Sequence, residues 1–193
     1  MSSIYIKQEK YYTFEEWTQL KRPKGIWRME LIDGKVYMMA SPSILHQTIS
    51  VDLTRQLATH LLGKKCKVFH GATARLEKDT AYIPDLMVVC DLKKIEKNYC
   101  EGAPDLIVEI LSPSNSDYDR ITKLKAYRKA GVKEYWIVDP EGQTVTAYRM
   151  INDFYKIEVY SIAEKDKSVP VEVLSGFEID LTTIFQEETN EEV

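Results

Sequence analysis

Two acidic side chains interrupt apolar runs in this chain. Asp85 opens Asp85-Leu-Met-Val-Val-Cys90, and Glu109 lies inside Leu106-Ile-Val-Glu-Ile-Leu111. Short runs rich in Val and Ile read as strands buried on both faces. A carboxylate there costs several kcal/mol unless it is paired, protonated or bound to a cation. On neighbouring strands, Asp85 and Glu109 would converge on one hard cation. Magnesium takes oxygen ligands, retains several waters and suits a small number of carboxylates. Such an ion supplies hydroxide and offsets negative charge at a phosphorane-like transition state. Taken singly, each acid also fits a strand end or a pairing with an arginine.

Three further residues join this set. Lys123 falls on the apolar arc of a predicted helix, between Ala130 and Tyr127, whereas Lys125 and Lys129 fall on the opposite side. An ammonium on that arc would hold an attacking water or a phosphate as a point charge; a snorkelling stem with a wet head is the alternative. Asp119 stands four residues earlier and could pair with it. Glu30, between Met29 and Leu31, is a third acid in a strand-like run. It would bind the ion directly or through water, or form a cross-strand ion pair. His46 shares a helix face with Ile49, Leu53 and Leu57, where a lone histidine also fits a structural role. Ser112-Pro-Ser114 sits at a strand-to-helix turn and reads as a cap before it reads as a phosphate site. His60 and His70 have no partner pattern. GxGxxG, GxxxxGK[ST] and GxSxG are all absent from the sequence.

The elements that must position these residues follow from pattern. Thr13-Phe-Glu-Glu16 is a capping box opening a short helix over 14–20. Residues 27–40 form a hairpin about Asp33-Gly34. Ser41-Pro42 caps a long helix running to Leu62 and stopping at Gly63. Strands are predicted at 66–70, 73–77, 85–90, 105–111 and 134–139, with a short helix and loop over 91–104 and a second long helix over 116–130. The C-terminal third reads as β-ribbon at 143–150, 154–160, 169–174 and 177–181. The order implies an α/β domain with a mixed sheet.

Composition narrows the classes. An apolar share of 44% provides a core, and 29% charged residues suit an aqueous surface. Twenty-six basic residues against thirty acidic leave a net charge of −4, so any contact with nucleic acid must rest on a local patch or on metal ions. Three cysteines without a CxxC predict neither a disulfide nor a zinc cage, and suit a reducing cytoplasm. The N-terminus is too polar for a signal peptide. No apolar run reaches the roughly 20 residues that span a bilayer, so no membrane contact is expected. The expected division is a single domain over 1–186 and an acidic, disordered tail over 187–193.

The chain resembles the Uma-two family of restriction-endonuclease-like proteins, within the PD-(D/E)xK nuclease superfamily. The matching blocks are Tyr12-Thr-Phe-Glu-Glu-Trp17, Glu30-Leu-Ile-Asp-Gly34, Ser41-Pro-Ser-Ile-Leu-His-Gln47 and Pro84-Asp-Leu-Met-Val-Val-Cys90. They continue with Gly102 to Ser114, Asp119-Arg-Ile-Thr-Lys123 and Gly131-Val-Lys-Glu-Tyr-Trp-Ile-Val-Asp139. The resemblance implies a restriction-endonuclease-like core of mixed α+β type with flanking helices and a C-terminal β-ribbon. It implies Asp85 and Glu109 as metal ligands. The superfamily's lysine, two residues after the second acid, is Leu111 here, and the family expectation moves it to Lys123. Glu30 and His46 match the family's additional polar positions. The resulting expectation is an Mg²⁺-dependent endonuclease, with Mn²⁺ able to substitute, that hydrolyses DNA phosphodiesters through Asp85, Glu109, Lys123, Glu30 and His46. Glu30 would be a third metal ligand. Cleavage of both strands favours a two-fold homodimer, for which the ribbon from Val145 to Tyr160 is the candidate interface. The competing readings are a non-catalytic nucleic-acid-binding or interaction module on the same scaffold, and a fold whose buried acids are only structural.

Overall fold

The computed structural model of the chain describes residues 10–112 and 118–185. Its first helix, α1 (Phe14–Thr18), opens with the capping box: the Thr13 side chain accepts from the Glu16 amide, and the Glu16 carboxylate accepts from the Thr13 amide at 2.9 Å. The hairpin follows as β1 (Arg28–Ile32) and β2 (Lys35–Met39). Asp33 and Gly34 both have positive φ, 49° and 74°, as the two-residue turn matched to strand twist requires.

Helix α2 spans Ile44–Leu61. Its cap is Ser43, whose hydroxyl accepts from the His46 amide at 3.1 Å, not the predicted Ser41-Pro42. Both serines are chemically suited to cap. The later one places Ile49, Leu53, Leu57 and Leu61 on the buried face, and packing selects it.

The mixed α+β class holds, with the strands divided between sheets. The first sheet has the order β2-β1-β5-β4-β7, built with β4 (Thr73–Glu77), β5 (Thr80–Tyr82) and β7 (Tyr99–Glu101). The second has the order β11-β10-β9-β8-β6-β3. It contains β3 (Lys67–His70), β6 (Leu86–Val89), β8 (Leu106–Ile110), β9 (Glu134–Asp139), β10 (Thr144–Ile151) and β11 (Phe154–Ser161). Strands β8 and β9 run parallel, and the other pairs in this sheet are antiparallel. The three-residue strands β5 and β7 have no sequence signature, because alternation needs more residues than they contain.

Sheet alternation separates two cores. Leu86, Val88, Leu106, Val108 and Ile110 pack against α2. Met87, Val89, Ile107 and Leu111 face the other way, toward Tyr127, Tyr135 and Tyr82. Part of the predicted second long helix is described as a π-helical turn over Tyr118–Lys123 leading into α3 (Leu124–Ala130), which ends at Gly131. Pro113 to Asp117, which hold most of its predicted cap, lie outside the described residues, as does the expected acidic tail. The ribbon regions shorten to β12 (Ser168–Pro170) and β13 (Glu178–Asp180), and a helical turn, α4 (Leu181–Ile184), follows. Buried Glu134 anchors this part: it accepts from the Trp136 indole, from Arg149 and from the Val173 amide.

The cysteine expectation is overturned as well. Cys66 and Cys90 form a disulfide, leaving Cys100 as the free, buried thiol. An odd count excludes complete pairing, not one pair. Because Lys67 pairs with Val89, Cys66 and Cys90 end the same two strands face to face, with a Cα separation of 4.0 Å. Among the described residues no helix is long and apolar enough to cross a membrane.

Candidate functional site

The segment Ile83-Pro84-Asp85 carries the chain from the first sheet to the second. Its backbone is held from β1. The Glu30 carboxylate accepts from the Ile83 amide at 2.8 Å, and the Arg28 guanidinium donates to the Ile83 carbonyl at 3.0 Å. Arg28 and Glu30 lie two apart on one strand and therefore share a face.

Asp85 lies in a bend just before β6, so strand alternation does not extend to it. Its carboxylate leaves the side of Met87 and Val89 that alternation predicts. One oxygen accepts from Arg28 at 2.8 Å. The other lies 3.0 Å from the His46 Nε2 and accepts from the Ile110 amide at 2.9 Å. Burial pushes this carboxyl up; the His46 contact, Arg28 and the Ile110 amide outweigh it and hold it down to about 2. Asp85 is therefore an anion at neutral pH. His46 belongs to the first turn of α2, which the Ser43 cap orients.

Glu109 occupies the other half of the site. Leu86 pairs with Val108 across β6 and β8 and the Ile110 amide bonds Asp85, so Glu109 lies between two residues that contact the Asp85 end of β6. One Glu109 oxygen accepts from the Lys123 ammonium and from the Tyr127 hydroxyl, each at 2.7 Å. Lys123 and Tyr127 are four residues apart, one turn along a helix face. Lys123 also lies 3.5 Å from the Glu30 carboxylate. Its side chain is only 2% exposed, so the apolar arc carries a buried lysine. Burial, then the charges of Glu109 and Glu30, pushes the Tyr127 phenol well above its ordinary value. It stays neutral and donates.

The five residues singled out from sequence thus form two linked clusters: Asp85 with His46, and Glu109 with Lys123 and Glu30. The Glu109-Ile110 step of β8 joins them. Three neighbours escaped the sequence reading. Arg28 was detectable as the residue two before Glu30, and Tyr127 as the residue four after Lys123. His70 had no local signal. It bonds the Ser50 hydroxyl at 2.9 Å. Burial and then Arg28 hold its imidazole below the ordinary value, against the pull of Asp85. Gly71 follows it with φ of +58°, and a Cβ there would meet the Arg28 guanidinium at 3.4 Å. Asp119 has no described side chain.

Carboxylate oxygens are the donors a hard divalent ion takes. Two carboxyls carried by adjoining segments, one of them held ionised, match Mg²⁺ or Mn²⁺ in donor chemistry. Among the described residues, no three of His, Cys, Asp and Glu are gathered as a ready cage. An ion would bind through the Asp85 and Glu109 pair, in competition with Arg28 and Lys123.

Comparison with known proteins gives a consistent frame. A family model described as "Uma2: Putative restriction endonuclease" matches residues 13–182. Two uncharacterized proteins of Synechocystis sp. (strain ATCC 27184 / PCC 6803 / Kazusa) are similar. One is 29% identical over 141 residues, covering 72% of each chain. The other is 27% identical over 156 residues, covering 78% of this chain and 87% of its own. The crystal structure of a "putative nuclease belonging to DUF820" from Anabaena variabilis ATCC 29413 superimposes with a TM-score of 0.74 at 24% identity, covering 90% of this chain and 97% of that one. That likeness establishes the fold.

Proposed function

Because the chain belongs to the Uma2 family of putative restriction endonucleases, we propose that it is a divalent-metal-dependent endonuclease acting on DNA phosphodiesters. The observation that carries this reading is the pair of buried acids Asp85 and Glu109, linked through the Ile110 amide, with the Lys123 ammonium 2.7 Å from Glu109. A bound Mg²⁺ or Mn²⁺ would supply a nucleophilic water at neutral pH and offset phosphate charge. Asp85 and Glu109 would hold that ion, with Glu30 beside them as a further oxygen donor.

The chain's own residues have separable tasks. Arg28 and His46 keep Asp85 ionised and aimed. Tyr127 fixes the Glu109 carboxylate. Lys123 places a positive charge where a water or a phosphate oxygen would lie, and buried charge acts more strongly than solvated charge. Glu30 lies 3.5 Å from the Lys123 ammonium and holds the inter-sheet segment in place through the Ile83 amide. The test is a plasmid-nicking assay with Mg²⁺ and Mn²⁺. Wild type should nick, Glu109→Gln should lose most activity while remaining folded, and Ca²⁺ should support little turnover. Identical residual activity in wild type and Glu109→Gln would reject catalysis.

One observation favours a second reading. Asp85 and Glu109 both already have cationic partners, Arg28 and Lys123, as a structural brace would. A nucleic-acid-binding module of this kind would bind DNA without metal-dependent nicking. A homodimer is part of the same proposal, whereas the Cys66–Cys90 bond removes the argument for a reducing cytoplasm. β11 is an edge strand of the second sheet, and it exposes Ile157 and Val159, which an exposed edge normally avoids. A second copy pairing there would lose association on Ile157→Lys, measured by light scattering after gel filtration; an unchanged mass would reject that interface.

A further inference from the structure

A groove of about 680 Å³ lies between α1, the start of β1 and the β3–β4 turn. Its size falls within the roughly 300–1,000 Å³ of small-ligand sites. Phe14, Trp17, Trp27 and Tyr99 line it, together with Arg22 and Arg28. No acidic side chain is among the described residues that line it, although the chain carries a net charge of −4. Arg28 belongs to both places. It forms part of the groove wall, and its guanidinium bonds Asp85. The groove and the candidate site therefore share Arg28 as a common wall.

Trp17 supplies an independent observation. It is 8% exposed, and its indole N–H has no acceptor among the described residues. A buried indole N–H ordinarily has a partner. The Nε1 atom is itself buried, so an occupant reaches it only when the groove wall around Trp17 opens. Trp27 differs: it is 42% exposed and offers an open ring face at the rim. Arg22 donates to the Trp27 carbonyl at 2.6 Å, which fixes the backbone that carries this ring.

We infer that this groove binds an unpaired nucleotide of a nucleic-acid strand, immediately beside the residues proposed to cut it. Aromatic faces stack any base, and guanidinium groups track the backbone charge. A base edge presents ring-nitrogen and carbonyl acceptors for the Trp17 N–H. A continuous duplex keeps its base faces stacked and cannot offer them. The inference deepens the nuclease reading: it rests on that reading for the class of polymer and narrows the substrate to a single-stranded, gapped or flipped segment.

The test is independent of cleavage. Two of the chain's three tryptophans, Trp17 and Trp27, line the groove, so intrinsic fluorescence reports occupancy. The intact chain in EDTA is titrated with octathymidylate, octauridylate, the matching DNA duplex and poly-glutamate. Either single strand should quench the fluorescence, more weakly as salt rises, and the duplex should bind less tightly. Trp27→Ala should weaken binding about fivefold or more at an unchanged melting temperature, and Trp17→Phe should weaken it while keeping the ring. Absence of quenching by both strands, equal binding by Trp27→Ala, or equal binding of poly-glutamate would overturn the inference. DNA nicking without quenching would reject the groove alone. Quenching without nicking would reject the nuclease reading and leave the groove as a single-strand site.

Discussion

Lys123→Met is the most informative single perturbation of this molecule. Lys123 is 2% exposed and lies 2.7 Å from Glu109 and 3.5 Å from Glu30. Methionine keeps most of the stem's packing and removes only the charge. Two buried carboxylates then face each other with no ammonium between them. Removing one partner of a buried ion pair costs about 3–5 kcal/mol. In a domain of this size each kcal/mol moves Tm by about 2–4 °C, so the expected fall is roughly 6–20 °C. The deficit should shrink between pH 8 and pH 5, because uncompensated carboxylates take up protons and lose their repulsion. Adding Glu109→Gln to Lys123→Met should recover part of the loss. Calorimetry in EDTA measures all three effects. Lys129→Met serves as the control: its partner Glu77 and Lys129 itself are largely in solvent, with side chains 43% and 74% exposed, and Tm should not move. A Lys123→Met protein as stable as wild type, or a deficit identical at both pH values, would refute the account of a buried charge cluster.

Millimolar Mg²⁺ or Mn²⁺ should raise the wild-type Tm, since a ligand specific to the native state stabilises it; Asp85→Asn should respond much less, and equal shifts would remove the argument for ion binding at this pair. Metal-free protein should lose stability in acid. The Asp85 carboxyl is held down to about 2, so its contribution is present above the ordinary carboxylate range and is lost as pH falls through about 2; Asp52 and Asp105, also held below their ordinary values, act in the same direction. Acid titration in EDTA followed by circular dichroism checks this, and stability that rises below pH 4 would contradict it. Reducing the Cys66–Cys90 bond, whose cysteines are 24 residues apart, should lower stability by about 2–4 kcal/mol, measured by urea unfolding with and without dithiothreitol.

Much of the candidate site was legible because its signals are local. Glu109 stood out as an acid within an apolar strand. Lys123 and Tyr127 shared a helix face by simple periodicity, and Asp33-Gly34 specified the turn that presents β1. These patterns depend on the residue's own neighbours along the chain. The partners of Asp85 do not. Arg28, His46 and the Ile110 amide come from β1, α2 and β8, and no period links them. Which strands adjoin is set by burial of whole faces, and that choice brought Asp85 to the Ile110 amide beside Glu109 and Cys66 opposite Cys90. Packing likewise chose Ser43 over Ser41 as the cap and made strands of the short runs at Thr80–Tyr82 and Tyr99–Glu101. The sequence by itself determined which residues are unusual for their surroundings. Only the tertiary structure decided which charges meet, because pairing across sheets is the outcome of global packing and leaves no periodic trace in the chain.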